Sequence, residues 1–227
     1  MRTLAKWHIW LGWLVGVPIV MWTATGLFMV AKPIEEVRGE HLRAPVEAAP
    51  LILDDSLIAN QEAQLREMRV TMQNGRAVAI VTTLDGMVSR YDMESGDPIA
   101  SLDAATARAL VEERIVGGHA IESVNLFQPD NVPFDFRRPI AVWQVALVDG
   151  THVYVGRDTG EIEAVRTRWW RWFDFAWGLH IMDLSEREDT SHPILILFAA
   201  LSLIGATMGS ILMFRRRKTK LSRGVLS

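Results

Sequence analysis

The run Pro193-Ile-Leu-Ile-Leu-Phe-Ala-Ala-Leu-Ser-Leu-Ile-Gly-Ala-Thr-Met-Gly-Ser-Ile-Leu-Met-Phe214 contains 22 residues without a charge or a histidine. A second apolar run lies near the other end of the chain, where no residue from Trp7 to Ala31 is formally charged. About 20 apolar residues let a helix cross a hydrocarbon core about 30 Å thick. Because lipid offers the backbone no hydrogen-bond partners, each run is expected to be helical throughout. The sequence therefore predicts a membrane protein with spans at residues 7–31 and 193–214.

Basic residues flank both predicted spans on one side. Arg2 and Lys6 precede the first span, and six Lys and Arg residues follow the second, from Arg215 to Arg223. The positive-inside rule therefore places both termini in the cytoplasm and the middle outside. Residues 32–192 hold 16 Lys and Arg against 27 Asp and Glu, a formal charge of −11. We expect no nucleic-acid partner, because phosphate binding needs a basic surface.

The first span could instead be a cleaved signal peptide. Its apolar run exceeds the usual h-region of about 7–15 residues, and Val30-Ala31-Lys32-Pro33 is no small-residue cleavage site. We therefore expect an uncleaved signal anchor. The chain has no cysteine, which excludes disulfides, thiolate catalysis and Cys-ligated metals.

Eight of the nine tryptophans lie in or beside the predicted membrane segments, and only Trp143 lies elsewhere. Tryptophan prefers the interface between bilayer and water. Residues 168–184 are therefore expected to form an aromatic helix in the outer interface, with Arg168, Arg171 and Asp174 on one side at helical spacing. The alternative is a buried helix of the external domain.

The external region contains an internal repeat at an offset of 64 residues. Val78-Ala-Ile-Val-Thr-Thr-Leu-Asp85-Gly86 aligns with Val142-Trp-Gln-Val-Ala-Leu-Val-Asp149-Gly150, and Ser95-Gly96 aligns with Thr159-Gly160. Each copy is expected to form strand, Asp-Gly turn, strand, Gly-containing turn and short strand. We predict that Asp149 and Gly150 form a two-residue hairpin turn, that Gly160 forms the next turn, and that Trp143 is substantially buried.

A helix is predicted before each hairpin. Asp103 is a cap for the run from Ala104 to Arg114, and Asp55 or Ser56 could cap the equivalent run from Leu57 to Met68. The stretch from Gly117 to Pro139 is expected to be a long connection in the second copy. The predicted external domain is therefore α+β, with a duplicated unit of a helix and an antiparallel sheet.

The second copy resembles a PepSY domain in Val142-Trp143-Gln144-Val145, Asp149-Gly150, Val153-Tyr154-Val155 and Asp158-Thr159-Gly160-Glu161-Ile162. The spans resemble those of the PepSY-associated transmembrane family: Lys6-Trp7-His8-Ile9-Trp10-Leu11-Gly12 opens the first, and Ile204-Gly205 through Phe214-Arg215-Arg216-Arg217 closes the second. The resemblance covers nearly the whole chain, and it implies a bacterial inner-membrane protein with a periplasmic domain. Larger members have four or more spans, and some are linked to ferric-siderophore reduction with haem in the membrane.

The chain accordingly divides into nine predicted segments. These are a cytoplasmic N-terminus (1–6), transmembrane helix 1 (7–31), a linker (32–53), the first PepSY-like repeat (54–100), the second PepSY-like repeat (101–167), the interfacial aromatic helix (168–184), an outer loop (185–192), transmembrane helix 2 (193–214) and a basic cytoplasmic tail (215–227).

Histidines are the only candidate redox or metal ligands. Axial ligands of a membrane b-type haem face one another across the ring, usually from packed helices. His8 is expected at the cytoplasmic end of the first span and His180 near the outer interface. At 1.5 Å per residue the two levels lie over about 30 Å apart, so these two histidines cannot share one haem.

The resemblance makes His180, in Trp177-Gly178-Leu179-His180, a candidate haem ligand. The alternative for His180 is a hydrogen bond to lipid headgroups or to Asp183. For His8 the alternative to haem ligation is snorkelling into the cytoplasmic headgroups. His119 and His152 have no partner at helical spacing and are expected in solvent.

Both spans carry two glycines four residues apart, Gly12 with Gly16 and Gly205 with Gly209. This small-residue spacing lets helices approach closely. We expect the glycines to pack the two spans of one chain together. A homodimer is the alternative, because a two-fold axis would bring identical histidines together.

The sequence has no nucleophile elbow, no His-Glu-x-x-His and no phosphate-binding glycine loop. Asp92, Glu94 and Asp97 are expected to form a solvated turn rather than a cation site. We therefore expect a non-enzymatic accessory or binding protein, without catalytic residues, metal or cofactor, that acts with a periplasmic or membrane protein partner. The resemblance associates it with iron–siderophore uptake. The alternative is a haem-binding electron carrier, or a component of a ferric-siderophore reductase, with haem b.

Overall fold

A computed structural model describes residues 2–45 and 65–224, with side chains as far as Arg215. The chain divides into two compact units. The first comprises Met1–Pro33 with Trp172–Ser227, and the second comprises Ile34–Arg171.

The first unit contains the two predicted spans. It contains helix α1 (Arg2–Met29) and, later in the sequence, the end of α4 (Arg168–Ile181) and the whole of α5 (Pro193–Gly224). The mean hydropathy of the most apolar stretch is 1.6 in α1 and 2.2 in α5, and only 11% and 6% of those stretches are buried. Helices this exposed are not core helices, and both are long and apolar enough to cross a membrane. Helix α1 begins at Arg2 and ends at Met29, so it starts before the predicted span 7–31.

The second unit begins with a short helix, α2 (Ile34–Val37), and a single 3₁₀ turn (Glu40–Leu42). Two four-stranded antiparallel sheets follow, each with its strands in chain order. The first sheet contains β1 (Leu65–Gln73), β2 (Arg76–Thr83), β3 (Val88–Asp92) and β4 (Pro98–Ile99). Helix α3 (Ala104–Arg114) separates it from the second, which contains β5 (Ile121–Phe127), β6 (Val142–Leu147), β7 (His152–Gly156) and β8 (Ile162–Arg166). An α+β region thus lies between two apolar helices, as predicted.

The Asp-Gly turn of the second sheet differs from the prediction. Leu147 N donates to Thr151 O at 2.8 Å, and Gly150 N donates to Leu147 O at 2.8 Å. The loop therefore has three residues, 148–150, rather than two. Only Gly150 has a positive φ, at 82°, whereas Asp149 accepts a hydrogen bond from Thr151 N at 2.7 Å. This is the three-residue hairpin loop that ends with a left-handed glycine.

The first sheet repeats this geometry 64 residues earlier. Thr83 N donates to Met87 O at 3.0 Å, and Gly86 N donates to Thr83 O at 3.0 Å. The φ of Gly86 is 87°, and Asp85 accepts from Met87 N at 3.3 Å. The internal repeat is therefore present in the backbone as well as in the sequence.

Each sheet has one strand more than the sequence predicted. Residues 65–68, placed in the predicted helix from Leu57 to Met68, belong to β1, and the rest of that run lies outside the described residues. The predicted connection from Gly117 to Pro139 contains β5. Both extra strands complete the hydrogen bonding of β2 and β6, whose free edges would otherwise be exposed.

The first strand pair is closed by a two-residue turn that was not predicted. Gln73 pairs with Arg76, and the residues between them, Asn74 and Gly75, have φ values of 50° and 76°. Positive φ at both positions defines a type I′ turn, for which Asn-Gly is the favoured pair.

Helix α3 begins as predicted. The Asp103 carboxylate accepts from Thr106 N at 2.8 Å, which satisfies one of the free amides at the helix start. Ala107 and Val111 are fully buried in a cluster with the valines of β6, β7 and β8. Trp143 packs against the same cluster and is only half-buried, and its Nε1 donates to the backbone oxygen of Leu102 at 2.8 Å.

The opposite face of the second sheet is covered by the connection between β5 and β6, residues 128–141. Phe136 of this connection stacks on Tyr154 at a ring-centroid distance of 4.7 Å. Val142 and Ala164 complete the small buried cluster beneath it. In the first sheet the corresponding connection is only Asn74 and Gly75, so that sheet carries no such cover of its own.

Candidate functional site

A groove of about 540 Å³ lies in the second unit, between the first sheet and helix α3. We call it the arginine groove, because its charged lining residues are Arg43, Arg69, Arg90, Arg114, Glu113 and Glu161. Leu102, Leu110 and Ile162 supply apolar surface. Among the lining residues that the structure describes, four cations against two carboxylates give a net positive charge, although residues 32–192 carry a formal charge of −11. The arginine groove is therefore opposite in sign to the region that contains it.

Arg90 is the most buried of the four arginines, with 7% of its surface exposed. Its Nη1 donates to Gln73 Oε1 at 3.1 Å and its Nη2 donates to Ala100 O at 2.6 Å, while its buried Nε has no hydrogen-bond partner. Burial lowers the pKa of Arg90, and the nearby Asp158 carboxylate opposes that effect. A buried guanidinium with an unused donor is a charge that the protein has only partly compensated.

The Arg90 side chain can occupy its position because residue 160 is a glycine. A Cβ at Gly160 would lie 2.3 Å from Arg90 Nη1, and the φ of Gly160 is 69°. Both the left-handed backbone and the close guanidinium require glycine. The turn predicted at Gly160 is thus also a contact between the two repeats.

Each of the other three arginines contacts an oxygen of the protein. Arg69 Nη2 lies 2.5 Å from Glu161 Oε2, Arg114 Nε lies 3.2 Å from Glu113 Oε1, and Arg43 Nη2 donates to Ile162 O at 3.2 Å. Half of the Arg69 side chain is exposed. These guanidinium groups are thus open to a solute that enters the groove.

A second polar cluster fastens the 128–141 connection to the second sheet. Asp135 accepts a short hydrogen bond from the Tyr154 hydroxyl and lies 3.0 Å from His152 Nδ1. Gln144 Nε2 donates to the Tyr154 hydroxyl at 2.7 Å. Arg166 Nε donates to the backbone oxygen of Asp135 at 2.8 Å. These contacts hold a cover in place against the sheet.

The charges in this cluster shift two pKa values. Burial raises the pKa of Asp135, but the hydrogen bonds from His152 and Tyr154 outweigh it and leave the pKa below the ordinary value. Burial, aided by the hydrogen bond to Asp135, raises the pKa of Tyr154. His152, expected in solvent, is instead half-buried and paired with Asp135, because the 128–141 connection folds back over β7.

His180 contacts helix α1. Its Nδ1 lies 2.9 Å from Thr25 Oγ1, and its backbone oxygen accepts from Trp22 Nε1 at 2.8 Å. The expected alternative, a hydrogen bond to Asp183, is wrong, because the Asp183 carboxylate instead accepts from the backbone amides of residues 185, 186, 188 and 189. Asp183 thereby shapes the predicted outer loop.

His8 faces helix α5 across a cleft of about 420 Å³. A Cβ at Gly209 would lie 3.0 Å from His8 Cε1, and one at Gly205 would lie 3.5 Å from Leu11 Cδ2. Gly205 and Gly209 thus face α1 of the same chain. Gly12 lines the cleft, but a Cβ at Gly12 or at Gly16 would have no neighbour within 4 Å. The Nδ1 of His8 is buried without a hydrogen-bond partner.

The two candidate haem ligands do not form one haem site. His180 lies at the level of Thr25, 17 residues along α1 from His8, which corresponds to about 25 Å at 1.5 Å per residue. Within residues 2–45 and 65–215, no group of three metal-binding side chains occurs. His8 and His180 therefore do not fit as the two axial ligands of one haem within a single chain.

The polar side of α4 is satisfied by protein groups. Arg171 Nη2 donates to Gly150 O at 2.5 Å. Asp174, only 5% exposed, lies 2.5 Å from Arg187 Nη1, and the side chain of Arg168 passes within 3.3 Å of the Cβ position of Gly150. Trp172 is 65% exposed. The helix therefore has a protein-facing polar side and an exposed aromatic side.

The acidic turn after β3 is closed by its own backbone. Asp92 Oδ1 accepts from Glu94 N at 2.9 Å and from Ser95 N at 3.3 Å. These bonds hold the pKa of Asp92 below its ordinary value. The carboxylate is thus engaged as a turn former.

No family model, curated protein or solved structure matches this chain. The arginine groove was not predicted from the sequence, although the repeat alignment holds one signal for it. At the offset of 64 residues Arg90 aligns with Tyr154, so a charged residue in one copy replaces a fully buried aromatic residue in the other.

Proposed function

We propose that this chain is a membrane-anchored, non-enzymatic accessory protein that binds a ligand in its external domain. The observation that carries the proposal is the arginine groove, a cavity of about 540 Å³ with both charged and apolar lining. Cavities of about 300–1,000 Å³ with a few convergent polar groups are typical of ligand sites. The two apolar helices act as anchors.

The proposal places the protein in the bacterial inner membrane, with both termini in the cytoplasm and the PepSY-like domain in the periplasm. The basic residues that flank the spans support this orientation. The resemblance to PepSY-associated membrane proteins supports a role beside iron–siderophore uptake, with a periplasmic or membrane protein as partner. The lipid bilayer is the constant partner of the two helices.

A groove-filling substitution tests the binding proposal. Ala109 lies on α3, is exposed and lines the groove, whereas Ala105 lies one turn earlier on the same helix, is exposed and does not. We expect native mass spectrometry of the full chain in neutral detergent to show a bound small molecule in wild type and in Ala105→Trp. The adduct should be absent from Ala109→Trp. An adduct that survives in both variants, or that is absent from wild type, contradicts the proposal.

The alternative function is a haem-binding electron carrier. The observation that favours it is the buried His8 Nδ1 without a hydrogen-bond partner. Because one chain does not bring His8 and His180 together, a haem held by two copies of one of these histidines requires a second copy of the chain. A reduced-minus-oxidised absorption spectrum of the purified protein tests it: stoichiometric haem supports the carrier, and a featureless spectrum supports the accessory protein. With haem present, His180→Ala would abolish the signal if His180 is the ligand.

A further inference from the structure

We propose that the arginine groove binds a soluble organic anion, with a carboxylate or phosphate against the arginines and an apolar body against Leu102, Leu110 and Ile162. This inference rests on the proposed binding function and names its ligand class. It follows from the sign of the groove, the state of Arg90 and the distribution of apolar lining.

The sign of the groove is the first step. A region of formal charge −11 over residues 32–192 repels anions on average. Four of its arginines nevertheless converge on one groove, against two carboxylates among the lining residues that the structure describes. Guanidinium groups present planar, forked donors that match carboxylate and phosphate oxygens. A local excess of such donors in an acidic domain selects an anionic ligand.

The burial of Arg90 is the second, independent step. Its partners are the neutral oxygens of Gln73 and Ala100, and its Nε has no partner. No carboxylate lies within salt-bridge distance of Arg90 among the described residues. Removing a cation from water without a directly paired counter-ion is costly. An anion in the groove would supply part of the missing charge.

Two ion pairs within the arginine groove limit its affinity for an anionic ligand. Glu113 lies 3.2 Å from Arg114, and Glu161 lies 2.5 Å from Arg69. Each carboxylate competes with a ligand anion for its arginine. Because 63% of the Glu113 side chain is exposed, its removal should free Arg114 without disturbing the core.

The test measures equilibrium binding of three six-carbon probes to the full chain in neutral detergent by dialysis. Hexanoate and hexyl phosphate carry the two candidate anions, and hexylamine carries a cation on the same body. We expect at least one of the two anions to bind saturably, with hexylamine at least about tenfold weaker. Equal binding of hexylamine, or no binding of either anion, would overturn the proposal.

Matched variants then assign the binding to the groove. Arg114→Gln should weaken binding of the anion by about tenfold or more, since a hydrogen bond to a charged group carries about that factor. Arg108→Gln should change it less than twofold, because Arg108 lies on the same helix but outside the groove and pairs with Glu112. Glu113→Gln should tighten binding, which misfolding cannot imitate. Equal losses in the two arginine variants would refute the assignment.

The groove-filling variant separates the existence of a ligand from its chemical class. If Ala109→Trp removes a retained molecule while Arg114→Gln leaves it, the groove binds a ligand and the anionic class is wrong. If Ala109→Trp removes nothing, the binding function itself fails.

Discussion

Replacing Gly160 by alanine should destabilise the external domain more than any comparable glycine substitution at an open turn. The new Cβ would lie 2.3 Å from Arg90 Nη1 and 2.9 Å from Gln73 Oε1, so the guanidinium must move. Its hydrogen bond to Gln73 is then lost, which costs about 1.5–3 kcal/mol for a charged donor. The left-handed backbone, with φ of 69°, costs alanine a further 1–2 kcal/mol, roughly. The expected total is about 2.5–5 kcal/mol.

Gly86→Ala isolates the backbone contribution. Gly86 has a φ of 87° and no atom within 4 Å of its Cβ position, so only about 1–2 kcal/mol is expected. The two variants should therefore differ by about 1.5–3 kcal/mol in free energy of unfolding. With a urea dependence of about 1–3 kcal/mol per M, the difference corresponds to a midpoint shift of roughly 1 M.

The assay is urea unfolding of the detergent-solubilised full chain, followed by brief proteolysis of the external domain. Arg90→Met provides the test of mechanism, because it removes the group that the new Cβ would displace. In that background Gly160→Ala should cost no more than Gly86→Ala. Equal costs of the two glycine variants in the wild-type background would show that Arg90 does not occupy the described position.

Four further outcomes are expected. Reporter fusions near Asp85 should be extracytoplasmic and fusions after Arg217 cytoplasmic; an external C-terminus would overturn the topology. Gly209→Arg should reduce membrane insertion, measured as accumulation in membranes, because a charge at depth costs about 2.5–3.5 kcal/mol. Gly150→Val should lower the urea midpoint, since a β-branched residue resists a φ of 82°; an unchanged midpoint would contradict the turn. Tyr154→Phe should cost about 1–3 kcal/mol near pH 7, because Asp135 and Gln144 each lose a partner. Because folding raises the pKa of Tyr154, its neutral hydroxyl stabilises the wild-type fold. This stabilisation is fully present below the pKa of the unfolded state, near 10, and is lost as the pH rises through the pKa of the folded state. The variant should lack this alkaline loss in a pH series of unfolding curves.

The sequence predicted the parts of the fold that depend on local chemistry. The apolar runs sufficed for α1 and α5, the Asp-Gly pairs located both hairpin loops, and Asp103 marked the start of α3. The predicted length of the hairpin loop at Asp149-Gly150 was wrong by one residue, because a two-residue and a three-residue loop can carry the same Asp-Gly pair. The hydrogen bond from Thr151 to Asp149 distinguishes them only in the folded chain.

The missed strands have a different cause. In β1 the charged residues Arg66, Glu67 and Arg69 interrupt any simple alternation of apolar and polar positions. The Asn74-Gly75 pair is a stronger indication of a hairpin at this place than the pattern of β1 itself. The arginine groove depends on residues from Arg43 to Ile162 that only tertiary packing brings together. Spacing along the chain does not reveal such a set, and the repeat alignment marks only Arg90, which stands where the second copy has Tyr154.

The unequal length of two equivalent connections has a consequence for the history of this protein. A duplication creates two identical sheets, and a longer loop in one copy is enough to give the two sheets different surroundings. In the second copy Tyr154 is fixed by Asp135 and Phe136 of its own loop. In the first copy the aligned position, Arg90, contacts no such loop and faces the groove. Among related chains, changes at Tyr154 should therefore accompany changes in residues 128–141, whereas changes at Arg90 should accompany changes at Gly160.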